Sequence, residues 1–116
     1  MAVRTVVAVM TDLFFLVQVT GAAKAAGVQV VCVKDKAAAL EKVREGAAGM
    51  VVDLTCAGAE PVELVEEAKA AGCPLVIGFL PHVMTDLRMR ALDAGCDEVL
   101  ARSVFAQRLP ELLGAI

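Results

Sequence analysis

The sequence predicts an α/β fold, a three-layer sandwich in which one five-stranded parallel sheet lies between two layers of helices. Three observations carry that prediction. The stretches "KAAGVQVVCV", "EGAAGMVVDL", "KAAGCPLVIG" and "LDAGCDEVLA" repeat one punctuation: a helix end, a glycine at 27, 49, 72 or 95, then a short apolar run. The apolar runs are continuous rather than alternating, as in strands covered on both faces. Strand and helix signals also alternate strictly, which predicts parallel neighbours joined by right-handed crossovers.

Taken in order, strands are predicted over residues 5–10, 28–33, 50–53, 75–79 and 98–101, and helices over 12–26, 36–45, 61–71, 83–94 and 104–113. Asp12 opens the first helix with a side chain suited to capping its free amides. In "PVELVEEAKAAG", Val62, Val65 and Ala68 mark one face with Leu64 at its edge, and Pro61 suits a first turn. Each of the four glycines is expected to supply a left-handed helix cap. The run Leu13, Phe14, Phe15, Leu16, Val17 is apolar on more than one helical face, so either loops of the same domain or a subunit interface must cover the excess.

At 116 residues and 59% hydrophobic, the chain is expected to form one domain, 1–116, with a core that needs no staples. A net charge of −3 with dispersed Lys and Arg gives no field for a polyanion, and four Phe with no Trp or Tyr offer little for base stacking. Nucleic acid is therefore not expected as a partner. Charged residues break every apolar run before it reaches membrane-spanning length, Asp12 interrupts any signal-peptide core, and no membrane partner is expected. The expected location is the cytoplasm. Cys32, Cys56, Cys73 and Cys96 lack metal or disulfide spacing and read as small buried thiols; His82, in "FLPHVMTD", reads as a loop residue. No glycine-rich phosphate loop is present, so nucleotide binding has no motif behind it.

A parallel sheet of this kind gathers its strand C-termini on one edge, and ligands bind there. The residues that close the strands are Thr11 and Asp12, Lys34 and Asp35, Asp53, Leu80 to His82, and Arg102. Here "VVDL" at the third strand, "CPLVIGF" at the fourth and "ALDAGCDEVLARSVF" at the fifth make the chain resemble, along its whole length, the receiver domains of bacterial two-component response regulators. The resemblance implies a flavodoxin-like sheet of order 2-1-3-4-5. It also implies phosphoryl transfer from a histidine kinase onto an aspartate at the end of strand 3, with magnesium bound.

Carried over residue by residue, Asp53 matches the phosphoacceptor. Asp12 is one of the two acids that, with Asp53, would hold the metal, while Thr11 stands where the other acid is expected. Phe79 or Leu80, depending on a one-residue alignment choice, replaces the hydroxyl residue after strand 4. Arg102 replaces the family's Lys and Ser103 its Pro, and Val99 stands at the aromatic position of strand 5. A hard cation leans on carboxylate oxygen, neither Phe nor Leu donates a hydrogen bond, and Arg keeps the charge without the compact ammonium.

Against this stands a plainer reading, in which Asp53 ends a strand and binds the amides of the next loop, and Arg102 pairs with Asp12 or Asp53 in place of a cation. The favoured function is a non-enzymatic receiver-like signalling domain that binds a protein partner without depending on phosphorylation, with a homodimer as a further option. The alternative is a phosphorylatable receiver using Asp53 and magnesium; otherwise no cofactor is expected. A third reading is a small-ligand domain of the same topology, because "DAGCDEVL" resembles a passage in cobalamin-binding domains; the loop "MTDLFF" lacks the ligating His those domains carry.

Overall fold

The computed structural model describes residues 3–81 and 84–116. His82 and the predicted helix start at 83 lie outside the described residues. The elements are β1 (Thr5–Val9), α1 (Leu13–Ala25), β2 (Gln29–Val33), α2 (Lys36–Arg44), β3 (Gly49–Asp53), α3 (Pro61–Ala70), β4 (Val76–Leu80), α4 (Thr85–Ala94), β5 (Glu98–Ala101), α5 (Arg102–Gln107) and α6 (Leu109–Ala115). A short 3-10 turn, Ala57–Ala59, precedes α3. The five strands are all parallel, in the order β2-β1-β3-β4-β5, which is the predicted sheet.

Period-two alternation sorts the strand side chains between two cores. Val6, Ala8, Met10, Val51, Ile77 and Phe79 pack under α1, α5 and α6, whereas Val7, Val9, Met50, Val52, Val76, Leu80 and Val99 pack under α2, α3 and α4. Among the described residues no polar or charged side chain is buried. Stability therefore rests on apolar burial, at roughly 1.5–3 kcal/mol for each large side chain.

Several sequence expectations shift by a residue or change in kind. The cap after α2 is Gly46, with φ 102°; Gly49 instead opens β3, where a Cβ would come within 3.2 Å of the Ile116 side chain and the Leu75 carbonyl. The strand β2 is not covered on both faces, because it lies at the sheet's edge and leaves Gln29 and Cys32 exposed. Cys32 is thus not a buried thiol and Cys56 is only half-buried, while Cys73 and Cys96 are buried and burial pushes the Cys96 thiol up to about 12. In α3 the buried face is Leu64, Val65 and Ala68, with Val62 at its border. The last predicted helix starts earlier, at Arg102, and breaks at Arg108, since Pro110 lacks the amide a continuous helix would use and its ring crowds the preceding turn.

Asp97 ties the sheet to α3. Its Oδ2 accepts from Lys69 Nζ and from the Val76 amide, both at 2.8 Å, and its own amide donates to the Val76 carbonyl at 2.8 Å. Burial acts to raise this carboxyl, but the Lys69 hydrogen bond and the Val76 amide outweigh it and hold the group below its ordinary value.

Candidate functional site at the C-terminal edge of the sheet

Register brings the strand-closing residues together. β1 ends one step before Met10, β3 ends at Asp53, Asp53 pairs with Phe79 of β4, and Leu80 pairs with Ala101 of β5, which leads directly into Arg102. Phe79, not Leu80, is therefore the neighbour of Asp53, and Leu80 turns into the opposite core.

Asp53 is half-exposed at the end of β3 and satisfied by its own loop. Oδ1 accepts from the Thr55 amide at 2.9 Å and from Thr55 Oγ1 at 2.6 Å, and the Asp53 carbonyl accepts from the Cys56 amide at 3.0 Å. This is the geometry by which an Asp builds a turn two residues on. The chain then passes through the 3-10 turn to Glu60, in the left-handed region at φ 46°, and Pro61 starts α3. Lys36, at the start of α2, anchors that passage with ion pairs to Glu60 at 3.1 Å and Glu67 at 2.9 Å.

Asp12 works with both oxygens. Oδ1 caps α1 by accepting from the Phe15 amide at 3.1 Å, and Oδ2 takes Arg102 Nη2 at 2.6 Å. The Arg102 guanidinium carbon lies 4.8 Å from the Phe15 ring centre, so the cation rests on an aromatic face as well. With side chains 33% and 39% exposed, the pair contributes about 1 kcal/mol or less to stability. Its importance lies in what it occupies: Arg102 bonds Asp12 rather than Asp53.

Beneath that pair, Phe15, Phe79 and Phe105 form a triangle of rings from α1, β4 and α5. Their centres are 5.1, 5.6 and 4.6 Å apart with planes within 12° of parallel. Phe79 is 1% exposed, so the position beside Asp53 is filled by a buried ring and presents no hydrogen-bond donor to the edge. Thr11 and Ser103 are exposed, and Val99 is buried under α4. Among the described residues no group of three or more His, Cys, Asp or Glu is placed to hold a metal ion. The donor set fits magnesium poorly on chemical grounds, because Asp12 has both oxygens engaged, Thr11 supplies no carboxylate, and one oxygen of Asp53 is taken by Thr55.

Three contributors, Thr55, Phe15 and Phe105, lie outside the sequence motifs. Thr55 stands two residues after Asp53, a spacing that signals a side-chain turn. Phe15 and Phe105 are two of only four aromatic residues in the chain, a scarcity that marks them for the core.

No protein-family model matches the chain, and no curated protein matches it in sequence. Solved structures do. A CheY-like response regulator receiver domain protein from Methanospirillum hungatei superposes with a TM-score of 0.84 at 19% identity, over 98% of this chain and 93% of that one. A response regulator from Thermotoga maritima gives 0.80 at 19%, over 99% and 100%. The receiver domain of a sensor histidine kinase from Pseudomonas aeruginosa, with a magnesium ion coordinated in its active-site cleft, gives 0.81 at 16%, over 98% and 97%. The chain has the receiver fold.

Proposed function

We propose that the chain is a receiver-fold signalling domain that acts by binding a partner protein, is held in one conformational state and does not depend on phosphorylation of Asp53. The observation that carries this reading is Arg102 Nη2 at 2.6 Å from Asp12 Oδ2, a protein cation at the carboxylate the fold's relatives would give to a metal. Phosphoryl transfer is catalysed by positioning and charge neutralisation. With one acid committed to Arg102 and Phe79 buried beside Asp53, neither the metal nor a hydroxyl reporter is supplied, and the difference in free energy that would switch two states is absent. No cofactor or enzymatic step belongs to this reading. The cytoplasm is its natural setting, where the four unpaired thiols stay reduced.

The test is incubation with acetyl phosphate and magnesium followed by intact-mass measurement. The expected result is no stable gain of one phosphoryl group. A gain that disappears in Asp53→Asn overturns the proposal in favour of a phosphorylatable receiver, a reading favoured by one observation: Asp53 ends β3 on the same edge as Asp12.

A further inference from the structure

Helix α1 carries more apolar surface than its own domain covers. Phe15, Val19 and Ala23 face the core, while Leu13, Phe14 and Val17 on the outer side are 71%, 88% and 71% exposed. The same outer stripe continues through Gln18, Gly21 and Lys24, all exposed, and Lys24 is its one charged residue. A solvated helix face is ordinarily charged and polar, so this one is built for contact. Gly21 sits inside the helix with nothing within 4 Å of where its Cβ would be, so no neighbour in the fold demands the absence of a side chain there.

We propose that this face is the contact between two copies of the chain, with their α1 helices packed antiparallel about a twofold axis passing between Val17 and Gln18. In that register Phe14 of each copy lies over Gly21 of the other, and the missing side chain is the hole that the ring fills. The same symmetry carries Lys24, in the last turn, to the first turn of the other α1. Asp12 stands there with a side chain 39% exposed, its Oδ2 already held by Arg102 Nη2 at 2.6 Å. Lys24 would share a carboxylate that already carries Arg102, so the contact rests on its apolar area and on the fit of Phe14 to Gly21.

Area sets the strength of the contact. Leu13, Phe14 and Val17 expose on the order of 400 Å², the size of apolar patch that marks interaction sites. Two such patches with the flanking helix surface reach about 1,200 Å², the lower bound for a specific interface, which gives a reversible dimer rather than an obligate one. The inference is independent of how Asp53 behaves.

Sedimentation equilibrium of the full chain, from low micromolar to submillimolar concentration, should show the mass rising from 12.1 kDa toward twice that value. Phe14→Glu should hold it at the monomer mass. Gly21→Leu, which meets open space in the monomer, should weaken association at least tenfold while leaving the circular dichroism of the dilute protein unchanged. In a Cys32→Ser, Cys56→Ser background, Val17→Cys should cross-link under mild oxidation because it lies beside the axis, and Lys24→Cys should not. A chain that stays at the monomer mass throughout, its α1 face left for some other protein, overturns the proposal. So does a dimer indifferent to Phe14→Glu, or one that Lys24→Cys cross-links as readily as Val17→Cys.

Discussion

Beneath α1, α5 and α6 the sheet ends in three stacked rings with Arg102 resting on Phe15; beneath α2, α3 and α4 it ends in aliphatic contact, with Leu54 pressed against the bare backbone of Gly78. Both ends are dry, but they are closed by different means. On the first face the side chain beside Asp53 is bulk supplied by β4 itself. On the second, β4 withdraws its side chain and Leu54 from the loop after β3 fills the space. The difference teaches that this edge is specified by packing on both sides, with its polar contacts, such as the pair Asp12–Arg102 and the Asp53–Thr55 turn, confined to the solvent-facing surface.

The sharpest way to break the aromatic side is Phe79→Ala, which should cost about 3–5 kcal/mol in urea unfolding because three elements lose a shared ring. Phe79→Thr should cost nearly as much, since its hydroxyl would enter an apolar cluster without a partner. A Thr variant within about 1 kcal/mol of the parent would mean that the edge accepts a hydroxyl and that packing does not specify it. On the aliphatic side, Gly78→Ala places a Cβ 2.9 Å from a Leu54 methyl and should cost about 1–3 kcal/mol. Adding Leu54→Ala should recover part of that loss; additive losses would show that the two residues are not coupled.

Farther along the second face, Asp97→Asn should cost about 1 kcal/mol by weakening the clamp on Lys69 and Val76. Because the folded carboxyl lies below its ordinary value of 3.8, its contribution is complete above that value and is lost as pH falls through the lower folded value. Acid titration of stability should therefore show a component below that ordinary value in the parent that is missing in Asp97→Asn. The smallest effect belongs to the exposed pair: Arg102→Gln should change stability by about 1 kcal/mol or less, and less still in high salt.

The alternation of strands and helices was legible because continuous apolar runs and glycine stops act locally, and the strand order followed from the receiver-like segments. The cap role of Asp12 was legible for the same reason, since it depends on Phe15 three residues away. What local pattern cannot reveal is convergence. Phe15, Phe79 and Phe105 meet only once α1 and α5 are laid on the same face of the sheet as the Phe79 side chain of β4, and the choice of Arg102 for Asp12 over Asp53 depends on where α1 starts. Gly46 and Gly49, close together, offer the same stop signal in the sequence, and only the backbone angle distinguishes a cap from a tight strand entry. The bend before Pro110 is masked in the sequence because the apolar spacing of Phe105, Leu109, Leu112 and Leu113 runs unbroken through it.

The ring triangle also makes the protein its own optical probe. With no Trp or Tyr in the chain, near-ultraviolet circular dichroism comes from Phe alone, and three of the four Phe are locked face to face at the edge of the sheet while Phe14 is 88% exposed. The fine-structured phenylalanine bands therefore report the packing of Phe15, Phe79 and Phe105 with almost no background. Any partner, ion or substitution that disturbs the neighbourhood of Asp53 can be followed in unlabelled protein by the loss of those bands while the far-ultraviolet signal holds.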